Sequence, residues 1–347
     1  MSQMEPEVYV LAGATLATSV ALTLAMRKFA LSRGLLDVPN ERSSHKVPTP
    51  RGGGAAITLT AMTGFAVLTA LHRLDFAVFA ALAGGLAVAA VGFLDDRHAL
   101  PAAVRLSAHV TAALWALAWL GGLPALRVGD HLISLGALGT LIGMLGIVWV
   151  LNLFNFMDGI DGLAAAEATF VAWSGALLAA VGSASGGVAA ASLTLGASSL
   201  GFLRWNWPPA RIFMGDVGSG YLGYVIAVLA LVGTRENPAA LWAWLILGGV
   251  FFVDATVTLL RRLLRGERAH EAHRSHAYQW LARRWGSHGN VTLAVMAVNL
   301  IWLLPCAVLA MRFPGYAAMF VIVALAPLAV LATALGSGRA EASVPGR

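Results

Sequence analysis

Five of the 17 acidic residues stand in three short motifs, each at the edge of a long apolar run. The first is Gly92-Phe93-Leu94-Asp95-Asp96-Arg97. Adjacent carboxylates at a helix end oppose its dipole and repel each other. A divalent cation, or a substrate that brings one, offsets both penalties; a merely solvated helix end is the plain alternative. The second motif runs Asn152-Leu-Phe-Asn155-Phe-Met-Asp158-Gly-Ile-Asp161-Gly162. Its four polar groups recur every three residues along one drifting helical stripe, unless Gly159 and Gly162 open a loop that turns them together. Carboxylate and amide oxygens suit a hard cation such as Mg²⁺, or a nucleobase that needs paired donors and acceptors. The third is Phe213-Met214-Gly215-Asp216-Val217-Gly218-Ser219-Gly220. Glycines at a helix N-terminus let backbone N–H groups approach an anion, typically phosphate, and Asp216 in the turn points to Mg²⁺ and diphosphate.

Cations and histidines accompany the acids. Lys46 and Arg51 lie in a flexible segment that ends in Gly52-Gly53-Gly54, and His270, His273 and His276 stand among the arginines of 261–290, Arg274 included. With no cysteine or acidic partner at ligand spacing, His273 and His276 suit sugar hydroxyls and phosphate better than a transition metal. The single cysteine, Cys306, lies in an apolar run and excludes a disulfide framework. Residues 277–285 read as a short amphipathic helix in the membrane interface. Glu167 and Asp254 sit inside apolar runs and must face protein rather than lipid. Two partners suggest themselves, the neighbouring Gly162 site for Glu167 and an arginine just below for Asp254; both roles stay open.

The elements that position these groups are membrane helices. Of the 347 residues, 59% are hydrophobic and only 12% charged, against roughly 25% charged in a soluble domain. Mean hydropathy is +0.76 over the whole length, so the excess is not one anchor. This excludes a soluble globular enzyme and a disordered chain. The fold expected is all-α: a single polytopic membrane domain over 1–347 with about eleven transmembrane helices. Helices of roughly 20 apolar residues fit at 8–26, 55–71, 76–94, 106–126, 132–151, 163–182, 188–203, 219–233, 240–260, 291–311 and 316–335. The first reads as a span rather than a cleaved signal, and 336–347 as a disordered tail.

An odd span count puts the termini on opposite sides. The loops 27–54, 95–105, 152–162, 204–218 and 261–290, with the tail, hold nineteen of the 23 Lys and Arg residues; the other side holds Arg73, Arg127, Arg235 and Arg312. The bias places the N-terminus outside and the C-terminus in the cytoplasm. All three acidic motifs then share the cytoplasmic face. Topology and anionic membrane lipid account for the net charge of +6, and no nucleic acid is needed.

Together, Asp95-Asp96, the Asn152-to-Gly162 motif, Phe213-x-Gly-Asp216 and His273-x-x-His276 resemble the polyprenyl-phosphate N-acetylhexosamine-1-phosphate transferases, glycosyltransferase family 4. The resemblance runs from about Gly34 to Trp285, in order. The stretch from Gly34 to Gly54 looks like the branch that initiates O-antigen and related glycans. Glu271 to Gln279 is similar to enzymes that use N-acetyl-fucosamine or N-acetyl-quinovosamine donors. The resemblance implies that a UDP-N-acetyl-amino sugar and polyprenyl phosphate give polyprenyl-diphospho-sugar and UMP at a bacterial inner membrane. It implies Mg²⁺, for which Mn²⁺ substitutes, and a homodimer of the kind common in the family.

Carried over residue by residue, Asp216 and Asn155 resemble the metal ligands. Asp158, Asp161, Phe213 and Asn152 match nucleotide positions, with Phe213 stacking on uracil. Asp95 matches the acid that engages the lipid phosphate, and Asp96 is its partner. His273, His276, Arg274, Lys46 and Arg51 match sugar and diphosphate contacts. A family lysine beyond the acid pair is missing here, and Arg97 or Arg105 stands in for it. The nearest rival is the phospho-MurNAc-pentapeptide transferase branch, which carries a triple histidine where this chain has His273-Arg-Ser-His276. A lipid-carrier transporter would instead place charge at mid-membrane.

Overall fold

The chain begins with α1 (Pro6–Ser32), which leads through a two-residue pairing of β1 (Leu36–Asp37) with β2 (Thr49–Pro50) into α2 (Gly54–Ala70). Next come α3 (Phe76–Ala83), α4 (Gly85–Asp95) and α5 (Ala102–Leu120). The antiparallel hairpin β3 (Leu126–Val128) and β4 (His131–Ile133) precedes α6 (Gly136–Met157), α7 (Leu163–Val181), α8 (Gly186–Asn206) and α9 (Asp216–Glu236). There follow α10 (Ala240–Leu247), α11 (Gly249–Leu264), α12 (Ala277–Trp285), α13 (His288–Val298), α14 (Leu304–Arg312) and α15 (Ala317–Leu335), with one π-helical turn at Asn299–Leu303. These elements belong to a computed structural model that describes residues 5–39, 47–181, 186–267 and 274–340.

Among the described residues, nine helical stretches are long and apolar enough to cross a bilayer. The pair α10–α11 makes a tenth only as a broken span, bent by 73° at Gly248. The segment expected at 55–71 forms α2, an apolar helix of 17 residues. Two other expected edges move for a backbone reason. Gly121 adopts φ +70° and ends α5 before residue 126, and the β3–β4 hairpin takes 126–133. As a result α6 starts later and runs to Met157, so Asn152 and Asn155 ride on its last turns.

The core is built round α9. Every residue from Val217 to Thr234 is buried, which its small residues permit. At Gly223 a Cβ would stand 2.7 Å from the Leu151 backbone, so α6 and α9 touch there. Tyr224 reaches across from α9 and donates to the carbonyls of Ala81 and Ala112, joining α3 and α5. Gly84 leaves that room, since a Cβ there would meet the Tyr224 hydroxyl.

Both ends of the bundle can be traced from contacts. Arg73, in the turn after α2, pairs with Glu7 at 2.7 Å and so ties down the start of α1. At the other end the segment after α15 folds back: Ser337 Oγ donates to Asp254, and Gly338 N–H donates to the Ser275 carbonyl. The start of the expected disordered tail is thus held in place by a buried carboxylate. The start of α1 thus lies beside the turn after α2, and the segment after α15 lies beside α11 and the start of α12.

Candidate active site

Backbone contacts that only glycine allows bring the motifs together. The segment after β2 lies along the approach to α9: Phe213 N–H donates to the Pro50 carbonyl at 2.8 Å, and the Gly53 and Gly54 N–H groups donate to Phe213 and Met214, each at 2.9 Å. A Cβ on Gly54 would lie 2.3 Å from Gly218 Cα, and one on Gly92 would lie 2.4 Å from the Asp216 carbonyl oxygen. The ends of α2 and α4 therefore both press against the first turn of α9. Arg51, Asp95, Asp96 and Asp216 converge as a consequence.

Helix α9 already has an anion at its N-terminus. Asp96 Oδ1 accepts from Asp216 N–H at 2.9 Å and Oδ2 from Val217 N–H at 3.3 Å. The first-turn donors that the sequence offered to a phosphate are therefore taken by a side chain of the acid pair. Gly218 serves helix packing, and Gly215, at φ +75°, turns the chain over Asp96. Arg51 completes the arrangement: its Nε lies 2.8 Å from Asp96 Oδ1 and its Nη2 3.0 Å from Asp216 Oδ1. Burial raises the Asp96 carboxyl above the usual range, with Arg51 and the two amides pulling against it. For Arg51, burial opposes the charge, but Asp96 and then Asp216 more than offset it and raise its pKa.

Asp95 accepts from Leu100 N–H at 2.6 Å and pairs with Arg105 Nη1 at 2.8 Å, and its carboxyl also meets that of Asp216. Of the two arginines that follow the acid pair, Arg105 is therefore the one that pairs with it, whereas Arg97 lies over the Phe93 ring at 4.2 Å.

The second motif divides by role. Asn152 Nδ2 donates back to the Val148 carbonyl, and Asn155 Nδ2 to Ser219 Oγ at 3.2 Å, which sets Asn155 against α9. Asp158 ends α6, and its carboxyl is raised well above the usual range by burial and then by the charge of Asp216. Asp161 has a scaffolding position: it accepts from Ala210 N–H at 3.0 Å and lies 3.4 Å from His288 Nδ1. Gly162, at φ +80°, gives the predicted turn, and its N–H is held by Asn206 Oδ1. Gly159 serves another purpose, since a Cβ there would collide with the Tyr278 hydroxyl, which donates to the Phe156 carbonyl. Sequence reasoning gave no role to Asn206, Ser219 or Tyr278, although Ser219 stands within the third motif.

The amphipathic helix forms as predicted, as α12. Its N-terminus is held by Asp254, which accepts from Ala277 N–H at 2.9 Å and Tyr278 N–H at 3.2 Å. The expected arginine partner of Asp254 is thus replaced by a helix end and by His276, whose Nδ1 lies 3.7 Å away. His276 is 2% exposed and stacks between Phe156 and Tyr278. In this position its ring packs on the start of α12 beside Asp254. Arg274 accepts from Arg283 through its carbonyl, while Lys46 and His273 lie outside the described residues. Phe213 is half-buried in the turn that leads to α9.

A cavity of about 210 Å³ opens beside the acids, between α4, α5, α6 and α9. Val88, Val91, Leu106 and Leu151 line its apolar part; Arg105, His109, Asn152, Asn155 and Asp216 line its polar part. On the α1 side of Asp96 a cleft of about 790 Å³ is edged by Arg33, Arg51, Arg97 and His98. Among the described residues, no three histidine, cysteine or acidic side chains converge on one metal position. The neighbouring donors are nevertheless carboxylates, the ligand type of a hard divalent cation, and positive charge already stands between two of them as Arg51. The donor chemistry fits Mg²⁺.

A bundle that gathers carboxylates, arginines and a part-apolar cavity at one end of its helices has the parts of a membrane transferase for phosphorylated substrates. The pattern of glycosyl transferase family 4 matches residues 78–234. The chain is 28% identical over 305 residues to a probable undecaprenyl-phosphate N-acetylglucosaminyl 1-phosphate transferase of Bacillus subtilis, covering 85% of this chain and 83% of that one. It is 30% identical over 291 residues to the decaprenyl-phosphate N-acetylglucosaminephosphotransferase of Mycobacterium leprae, covering 74% and 72%. A phospho-N-acetylmuramoyl-pentapeptide-transferase of Synechococcus elongatus matches over 68 residues, 20% of this chain. The chain belongs to the polyprenyl-phosphate hexosamine-1-phosphate transferase family.

Proposed function

We propose that this protein transfers N-acetyl-amino-sugar 1-phosphate from a UDP-sugar to polyprenyl phosphate, releasing UMP, at the cytoplasmic face of a bacterial inner membrane. The observation that carries the reading is the cavity whose apolar wall, from Val88 to Leu151, leads to Arg105, Asn155 and Asp216. A lipid phosphate needs such a passage, with hydrocarbon on one side and charge at its end. An oxygen of that phosphate attacks the sugar-linked phosphorus of the donor; a new diphosphate bond forms as the old one breaks, and UMP leaves. A phosphate monoester is mostly dianionic at neutral pH, so Asp95 and Arg105 need only orient it. Asp216, with Asn155 beside it, would hold Mg²⁺, which supplies charge neutralisation between the two anions. Asp158 and Phe213 face the nucleotide.

The names of the relatives favour N-acetylglucosamine as the sugar; a 6-deoxy donor for O-antigen is the second reading, resting on residues 271–279. The pentapeptide branch is disfavoured, because its likeness spans a fifth of the chain. The test incubates membranes with undecaprenyl phosphate, Mg²⁺ and a panel of radiolabelled UDP-sugars. Label moving into the organic phase with release of UMP supports the reading, and its absence for every donor refutes it.

A further inference from the structure

We infer that Arg51 is the resident counter-cation of the donor-free site, and that it yields Asp216 to a divalent cation only when the donor's diphosphate arrives to receive the guanidinium. This rests on the transferase reading above. The two bonds of Arg51 are made by different nitrogens, Nε to Asp96 and Nη2 to Asp216. One bond can therefore open while the other holds. The two acids are not equally fixed. The Asp96 side chain is 6% exposed and is also gripped by two backbone amides, whereas that of Asp216 is 23% exposed. Asp216 is the carboxylate a metal can compete for, and Asp96 is the anchor from which Arg51 swings.

Charge gives the coupling its direction. Asp95, Asp96, Asp158 and Asp216 crowd one end of the bundle, with Arg51 and Arg105 as the cations between them. Arg105 is engaged by Asp95, so of these two cations Arg51 is the one paired with the Asp216 carboxylate. A metal that enters alone must break a charge-assisted hydrogen bond and leave an arginine half-paired. A metal that enters with a diphosphate leaves the arginine new oxygens to bind, a geometry the planar guanidinium fork suits. Metal and nucleotide then favour each other's binding, and by linkage the effect is reciprocal. Lysine at this position could not grip two carboxylates through separate nitrogens.

The experiment measures Mn²⁺ affinity by electron paramagnetic resonance on the purified full-length protein, with and without UDP, for the wild type, Arg51→Gln and Arg51→Lys. The wild type should bind Mn²⁺ weakly alone and more tightly with UDP. Arg51→Gln should bind Mn²⁺ about tenfold more tightly without UDP, the weight of one such bond, and the gain from UDP should shrink. Arg51→Lys should fall between the two. A folded Arg51→Gln whose Mn²⁺ affinity without UDP is equal to or below that of the wild type overturns the inference. If Arg51→Gln does not fold, Arg51→Lys decides by the same comparison. A wild type that transfers sugar phosphate while the variants show no such gain sinks the inference alone; a wild type inactive on every donor sinks the transferase reading.

Discussion

The carboxylate of Asp96 caps the helix that begins with Asp216, through a 2.9 Å bond from the Asp216 amide. Two acids that the sequence places in separate motifs, the acid pair and the glycine-rich turn, thus have a donor–acceptor relation in the fold. Asp96→Ala should remove a helix cap and strand Arg51, lowering the unfolding temperature in detergent by the equivalent of about 1–2 kcal/mol. Asp96→Asn keeps one acceptor oxygen and should lose less. If both variants unfold with the wild type while activity falls, Asp96 acts in chemistry and not as a cap.

Asp216→Asn separates the two roles from the other side. The Asp216 backbone amide is unchanged, so Asp96 still caps α9 and the unfolding temperature should stay near wild type. Turnover should fall by at least about a hundredfold, the scale of removing a principal electrostatic contact to a transferring phosphate. Near wild-type rate at saturating Mg²⁺ would show that Asp216 is not a metal ligand.

These two residues also show what a sequence can and cannot tell. The spacing of Asn152, Asn155, Asp158 and Asp161 was legible, as was the α12 segment, because both patterns are local. The partner of Arg51 was not, since Asp216 lies 165 residues away. Nor could sequence separate glycines that admit a ligand from those that admit a helix. Gly218 reads as part of an anion-binding turn, yet it faces Gly54. The anion itself came from Asp96, on another element, and only tertiary packing reveals that substitution. Burial of His276 was hidden for the same reason: a histidine among arginines reads as surface until Asp254 is found beside it.

Orientation is open to a chemical test. After replacement of the buried Cys306, a cysteine at the exposed Ala99, beside the acid pair, should be shielded from a membrane-impermeant thiol reagent in intact cells and react after permeabilisation. One at His131, exposed in the hairpin at the far end, should react in both. The reverse pattern would place the acids outside the cell.

Within the bundle, Asn299 Nδ2 donates to Glu167 Oε2 at 2.5 Å, both residues being fully buried. The bond joins α7 to the π-helical turn before α14. Glu167→Leu leaves the amide without its partner in an apolar setting, which costs about 1–3 kcal/mol. Glu167→Gln keeps an acceptor and should unfold close to wild type. Equal losses for Leu and Gln would mean that charge, and not the hydrogen bond, is what the site requires.

Donor choice provides the last test, because the position of His276 changes what its removal should do. A residue that touched the sugar would alter the ratio of rates between donors, since discrimination arises from contacts that differ between them. His276 instead packs between Phe156 and Tyr278 and sits beside Asp254, which holds the start of α12. Its removal should loosen α12 as a whole. His276→Ala is therefore expected to lower the unfolding temperature and to reduce turnover on every accepted UDP-sugar by a similar factor. Phe213→Ala should also act evenly across donors, but by raising KM without the loss of stability, as expected for a group that meets the shared uridine. Rates on UDP-N-acetylglucosamine and on a 6-deoxy counterpart, measured beside thermal unfolding, distinguish the two variants. A changed donor ratio in His276→Ala at unchanged unfolding temperature would return His276 to the sugar site.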